Sequence, residues 1–399
     1  MNSQTTPVHI RLWHHEFWLL VVAGLLQVMA VYMLIPVMPG WLLTDRQLSP
    51  AETGLAMGAF ALGLYLLGPS CSWLVQRYRR NMVCITAIAA QAACVLLLAY
   101  AGPRASLPLV LVHRVAMGAA FGLGQMVILS TLVIDTCESH QRTEANHGAA
   151  WIARFALSLG PLCGLAVTAL TPVAGRLSPL LARLSPMAAV LVASALLALA
   201  GAALISQVRF PFRSPEECVT ILSFDRFLLP TGGVLFANLL LVSMAVGLLL
   251  ALRLSLVFYA LVMGGFLLAL LAQRFVFRNA ELESEVVSGL ILMGAAELIL
   301  LNYPGNPLAP LLLGTGVGIV SSRFLLFFVK LSRHCQRGTS QSTYFLGWET
   351  GLAIGLGLGY ALCYPWDGVL IVTSIALTAA ALAMYVGYTH RWFLGHKNR

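Results

Sequence analysis

Two stretches decide how this chain folds: Arg114-Val-Ala-Met-Gly118-Ala-Ala-Phe-Gly122 and Arg154-Phe-Ala-Leu-Ser-Leu-Gly160-Pro161-Leu162-Cys163-Gly164. Each lies inside a long apolar run, and a polar loop joins the two runs into a hairpin. A guanidinium is costly in lipid, so an arginine inside such a run faces protein or a water-filled cavity. Glycines four apart let helix backbones approach closely. Pro161 removes a backbone donor and can bend or break the helix that carries it.

The surrounding sequence has the same character. Of 399 residues, 59% are hydrophobic and 10% charged, whereas soluble globules carry about 25% charged residues. Allowing about 20 residues per span, twelve spans are placed at about 17–42, 52–75, 82–101, 107–134, 146–170, 186–206, 229–251, 254–276, 286–303, 308–330, 342–363 and 367–388. None alternates as barrel strands must, so the class is an all-α membrane protein. The first run is too long for a cleavable signal peptide, and Trp13 and Trp18 suit a headgroup interface. The eight cysteines lack metal-type spacing and suit packing.

The net charge of +9 sits in the loops, which points to orientation in a bilayer and not to nucleic acid. With the N-terminus inside, the cytoplasmic segments hold Arg11, Arg77, Arg79, Arg80, Arg142, Arg209, Arg213, Arg226, Arg274, Arg278, Lys330, Arg333, Arg337, Arg391, Lys397 and Arg399. The other face holds Arg46, Arg104, Arg176, Arg183 and Arg253. This bias predicts both termini in the cytoplasm and a multi-pass protein of the plasma (inner) membrane.

The polar stretch from about 207 to 226, with Pro211 and Pro215, predicts a cytoplasmic linker. The chain then divides into a six-helix bundle over 1–206, a linker over 207–228 and a second bundle over 229–399. An internal repeat agrees with this division. An offset of 195 sets Gly160 on Gly355, Gly164 on Gly359, Arg154 on Glu349 and Asp135 on Lys330. An offset of 197 sets Gln76-Arg77-Tyr78 on Gln273-Arg274-Phe275. Parallel repeats of this kind suit two pseudo-symmetric bundles.

With these residues in place, the chain resembles the major facilitator superfamily, and most of all its twelve-helix drug:proton antiporter branch. Pro36-Val37-Met38-Pro39 resembles the branch's P-x-x-P signature, and Arg114 and Gly118 match R-x-x-x-G. Gly160-Pro161-Leu162-Cys163-Gly164 resembles G-P-x-x-G-G, with Leu165 in place of the last glycine. The family's G-x-x-x-D-R-x-G-R-R loop corresponds to Ser72–Asn81, where Arg77 and Arg80 remain and Gln76 replaces the acidic residue. The resemblance implies a monomer in the bilayer that moves a small-molecule substrate between two rocking bundles, and it calls for no cofactor and no metal.

Five charges fall well inside the spans, away from their ends: Arg114, Arg154, Arg323, Glu297 and Glu349. Arg114 shares a helix face with Gly118, Phe121 and Gln125, and a fixed cation there could hold an anionic group. Arg323 and Glu349 fall at one depth on adjacent antiparallel helices, so they are expected to pair. Glu349 is the first choice for proton coupling, with Arg323 and Arg114 as its electrostatic partners. Burial disfavours its charge and a guanidinium favours it, so helix movement would change the balance. Gly347, Gly351, Gly355 and Gly359 form a packing stripe that leaves Glu349 towards the cavity. The cavity set is Arg114, Gln27, Tyr32, Gln125, Trp151, Arg154, Asn238 and Arg323. Glu297 is assigned to a buried structural contact.

No G-x-S-x-G or H-E-x-x-H occurs, so an enzyme is not expected. The 337–341 loop is not a P-loop, which leaves an ion gradient as the driver. The leading expectation is export of small amphipathic or weakly anionic molecules by alternating access with proton antiport. A metabolite symporter or facilitator working as an importer, or a lysolipid flippase, is the alternative.

Overall fold

Each apolar run is helical, because a helix satisfies its backbone polar groups internally where lipid offers no partner. A computed structural model describes residues 11–101, 106–138, 140–177, 185–210, 220–277 and 280–398, side chains excepted at 174–177 and 334. Eleven helices among the described residues are long and apolar enough to cross a membrane. They are α1 His15–Tyr32, α2 Pro50–Arg77, α3 Arg80–Ala101, α4 Leu107–Asp135, α5 Arg142–Val173, α6 Pro186–Gln207, α7 Pro230–Leu249, α8 Leu256–Val276, α9 Leu282–Asn302, α10 Leu308–Leu331 and, last in the chain, α12 Asp367–His396.

Between the last two lies α11, Arg337–Leu358, which is as long but opens on the polar run Gly338-Thr-Ser-Gln-Ser-Thr343. Every residue from Gly338 to Ala353 is buried. A helix that meets protein on all sides has no lipid to satisfy, so its sequence is free to be polar. By burial α4 is central, with 94% of an 18-residue apolar stretch buried, and α8 is peripheral, with 28% of the corresponding stretch.

Helices of the first half pack mainly on one another: α2 on α4, α3 on α4 and α6, α1 on α5 and α6. In the second half α7 packs on α11 and α12, α8 on α10, and α9 on α10 and α12. Across the middle, α11 meets α2 and α4, and α5 meets α8 and α10. The internal repeat is visible in this packing. Gly160 and Gly164 lie against Met29–Met33 of α1, while Gly355 and Gly359 lie against Met244 and Ala251 at the equivalent place in the second half. The stripe Gly347, Gly351 and Gly355 faces α7.

Several helices are interrupted, among them α2 at Leu67–Ser70. α1 ends at Tyr32, and the chain turns through Pro36 before a short helix, Met38–Thr44, that carries Pro39 in its first turn. A bend was expected at Pro161, but α5 runs on through that residue and breaks at Phe155. The proline ring crowds the turn before it, and there the Phe155 carbonyl accepts from both Ser158 and Leu159.

The halves touch at both ends. On the face holding the described chain ends, Gly338 of α11 lies on Ser130 of α4, and His147 hydrogen-bonds Ser322 Oγ at 2.9 Å. Towards the opposite face, α2 and α11 meet at glycines. A methyl on Gly357 would sit 2.8 Å from the Gly54 carbonyl oxygen, so only glycine fits. Ser158 Oγ there donates to the Tyr259 carbonyl at 2.5 Å.

Of the charges and turn residues assigned above, Arg104, Arg183, Arg213, Arg278, Arg399, Pro211 and Pro215 lie outside the described residues, as does the side chain of Arg176.

Candidate functional site

Two voids of about 30 Å³ each lie between the halves, and Tyr32 and Glu349 line both. Glu349 is the thirteenth residue of α11, which puts it about 18 Å along the helix. The Tyr32 hydroxyl donates to Glu349 Oε1 at 2.6 Å. This hydrogen bond joins α1 to α11 and forms the partition between the voids. Gly160 allows it, because a methyl there would stand 2.7 Å from Tyr32 Cβ.

Each void has its own arginine. On one side Arg114 donates to the Ala56 and Met57 carbonyls at 3.3 and 3.4 Å and lies 4.8 Å over the Phe60 ring. The rest of that void is apolar, including Ile35, Met57, Leu352 and Leu356. On the other side the Arg154 guanidinium lies 3.7 Å over the Trp348 ring and donates to the Tyr344 hydroxyl. Gln125 and Gln341 line this second void, and neither side-chain polar atom of Gln341 has a hydrogen-bond partner. Glu349 is the only acidic residue lining either void among the described residues. Two guanidinium groups and one carboxyl thus share a buried space.

The expected pairing of Arg323 with Glu349 is not what the structure contains. Arg323 pairs with Glu285 of α9, at 2.5 Å from both Nε and Nη2. Depth along antiparallel helices places two residues at one level but does not fix the direction each faces. Arg323 faces α9, while Glu349 faces α1. Removing the arginine leaves Glu285 buried and unpaired, so Arg323→Gln is expected to cost about 3 kcal/mol of stability. Denaturation in detergent checks this. The double variant Arg323→Gln/Glu285→Gln should recover most of the loss, and equal losses in single and double variants would remove the ion pair as the cause.

Three other expected cavity residues sit elsewhere. Gln27 turns into the first half, donating to Gln91 Oε1 and accepting from Gln125, each at 3.0 Å. Asn238 donates to the Ala381 carbonyl at 3.1 Å and to Thr389 at 3.2 Å, binding α7 to α12. Trp151 packs on Phe155, Phe266 and Gly318, closing α5 against α8 and α10. A lone polar residue satisfied by a neighbouring helix looks the same in sequence as one facing a cavity. Glu297 accepts from Ser374 and Thr378 of α12 at 2.7 and 2.9 Å, a structural contact.

Gly118 packs on Phe60 and Gly63 of α2 and away from the voids. Arg80 pairs with Asp135 inside the first half. Gln76 Oε1 is buried without a hydrogen-bond partner, and Arg77 ends α2. Sequence reasoning missed Trp348, Tyr344 and Gln341. Their signal was the polarity of α11, too high for a lipid-facing helix.

This arrangement has the fold of major facilitator transporters. A bacterial homolog of the human lysosomal transporter Spinster, in an inward-facing, unoccupied conformation, superposes with a TM-score of 0.68 at 16% identity, covering 96% of this chain and 98% of that one. The xylose transporter XylE from E. coli gives 0.68 at 15%, over 92% and 94%. The nucleoside transporter NupG gives 0.63 at 12%, over 93% and 100%. At these identities the likeness is one of fold. No family model and no curated protein matches the chain.

Proposed function

We propose that this protein is a secondary transporter that moves an amphipathic monoanion through the membrane by alternating access, coupled to protons at Glu349. The observation that carries this reading is the charge set of the central space. With Glu349 ionised, Arg114, Arg154 and Glu349 sum to +1. An uncompensated buried guanidinium is costly, and an anion between the halves relieves that cost. The apolar walls, Ile35, Met57, Leu352 and Leu356, suit a hydrocarbon or aromatic body.

The sign of coupling follows from the same charges. Protonating Glu349 takes the site from +1 to +2 and favours the anion. One charge at about 6 Å with an effective dielectric of about 20 is worth about 3 kcal/mol, or about 100-fold in affinity. Linkage is reciprocal, so the anion strengthens proton binding equally. Proton and anion then travel together, which is cotransport. The rival reading, exchange that drives export, is favoured by the Gly160–Gly164 pattern and its packing against Tyr32. A lysolipid with one net negative charge meets the same charge requirement as a metabolite.

The two halves, 1–206 and 229–399, are the rocking bodies, with 207–228 as their tether. Both termini face the cytoplasm of a plasma or inner membrane, and one copy suffices because the site lies within one chain.

Proteoliposomes with an imposed pH gradient test the proposal, using radiolabelled aliphatic and aromatic monocarboxylates and lysophosphatidylglycerol as probes. Cotransport accumulates the anion on the side to which protons flow. Accumulation on the opposite side establishes exchange, and no gradient-dependent movement of any probe overturns the proposal.

A further inference from the structure

A second and much larger space, about 600 Å³, opens on the face that holds the described chain ends. It lies at the junction of the halves, away from the central voids. Arg142 opens α5, Arg226 leads into α7, Arg333 lies between α10 and α11, and Arg337 opens α11; all four line it. Its two acids are already engaged. Asp135 pairs with Arg80. Asp225 accepts from Ser72 and Thr339, each at 3.1 Å, and lies 3.6 Å from Arg226. Arg226 also donates to Thr131 at 2.9 Å. Among the described residues, Arg142, Arg333 and Arg337 make no ion pair, and Arg142 Nε is buried without a hydrogen-bond partner.

We infer that this pocket is a binding site for a phosphate-bearing anion, distinct from the central site and independent of the transport reading. Orientation explains why arginines are common on this face. It does not explain why four, from three segments of the chain, line one pocket after the local acids are taken. A carboxylate offers two oxygens in a plane, whereas a phosphate monoester offers three in a tetrahedral array, which suits guanidinium groups arriving from different elements. Bound there, the anion would tie Arg142 of the first half to Arg333 and Arg337 of the second and hold this face shut.

Calorimetric titration of pyrophosphate into the purified protein in detergent at low salt tests the site. Saturable binding is expected, weakened at least tenfold in Arg333→Gln/Arg337→Gln. It should be unchanged in Arg391→Gln, an exposed arginine of the same face outside the pocket. The variant Arg333→Lys/Arg337→Lys keeps the charge without the planar fork and should fall between. It also guards against misfolding, alongside monodisperse elution of each protein. Repeating the titration in nanodiscs separates the sources. If phosphatidylglycerol weakens pyrophosphate binding relative to phosphatidylcholine in the wild type only, the natural occupant is a lipid headgroup, and no competition assigns it to a soluble phosphate. Absent saturable binding, equal binding in wild type and Arg333→Gln/Arg337→Gln, or an equal loss in Arg391→Gln overturns the inference.

Discussion

Replacing Glu349 by Gln is expected to abolish proton-driven accumulation of the anion while leaving its downhill flux intact. Glutamine occupies nearly the same volume and still accepts from Tyr32 at the place where Glu349 Oε1 does, 2.6 Å from the hydroxyl. It removes the ionisation, leaving a neutral group at every pH. In the wild type, anion affinity should fall by about 100-fold as pH rises through the titration of Glu349, because deprotonation adds a negative charge beside the anion's site. In Glu349→Gln the affinity should be flat with pH and equal to the acidic limit of the wild type. Equilibrium binding across a pH series reads both. A wild-type affinity that rises with pH would mean that proton and substrate compete, and cotransport would give way to exchange. A variant that keeps the wild-type pH slope would remove Glu349 as the coupling group.

The second large effect is expected at Arg154. Arg154→Gln takes the ionised site from +1 to zero, and anion affinity should fall by about 100-fold on the same electrostatic scale. The double variant Arg154→Gln/Glu349→Gln returns the net charge to +1 and should recover most of the affinity, without pH dependence. Recovery separates charge balance from simple damage to the fold, since two substitutions would otherwise harm more than one. Arg154→Lys keeps the charge but loses the planar face that lies 3.7 Å over Trp348, so it should bind more weakly than wild type. A double variant no better than Arg154→Gln would overturn the charge argument.

How much of this was legible before the structure depended on which physical quantity each residue reported. Span positions follow from hydropathy, and α4 starts at Leu107 and α10 at Leu308 as expected. The glycine repeat was legible because close backbone approach admits one residue type. Arg154 and Glu349, matched through the repeat, do share the central space. What failed was direction around a helix. Arg323, Gln27 and Asn238 were polar at the right depth, but each found a partner on a neighbouring helix. Choosing between a neighbour and a cavity requires knowing which helices adjoin, and that is set by packing across the whole bundle. The partition formed by Tyr32 was invisible for the same reason, since its partner lies 317 residues away.

The buried, polar α11 bears on how the chain's topology is counted. Hydropathy recognises eleven crossings, and an odd number would send the last residues to the face opposite the first. In the structure, Asn398 instead donates to the carbonyls of Lys330 and Leu331. His14 meets Thr136 at the end of α4, on that same face. Counting the largely buried α11 with the eleven places the described chain ends on one face, as these contacts have them. Leaving it out of the count would put Asn398 on the face opposite His14, against the contacts that both make.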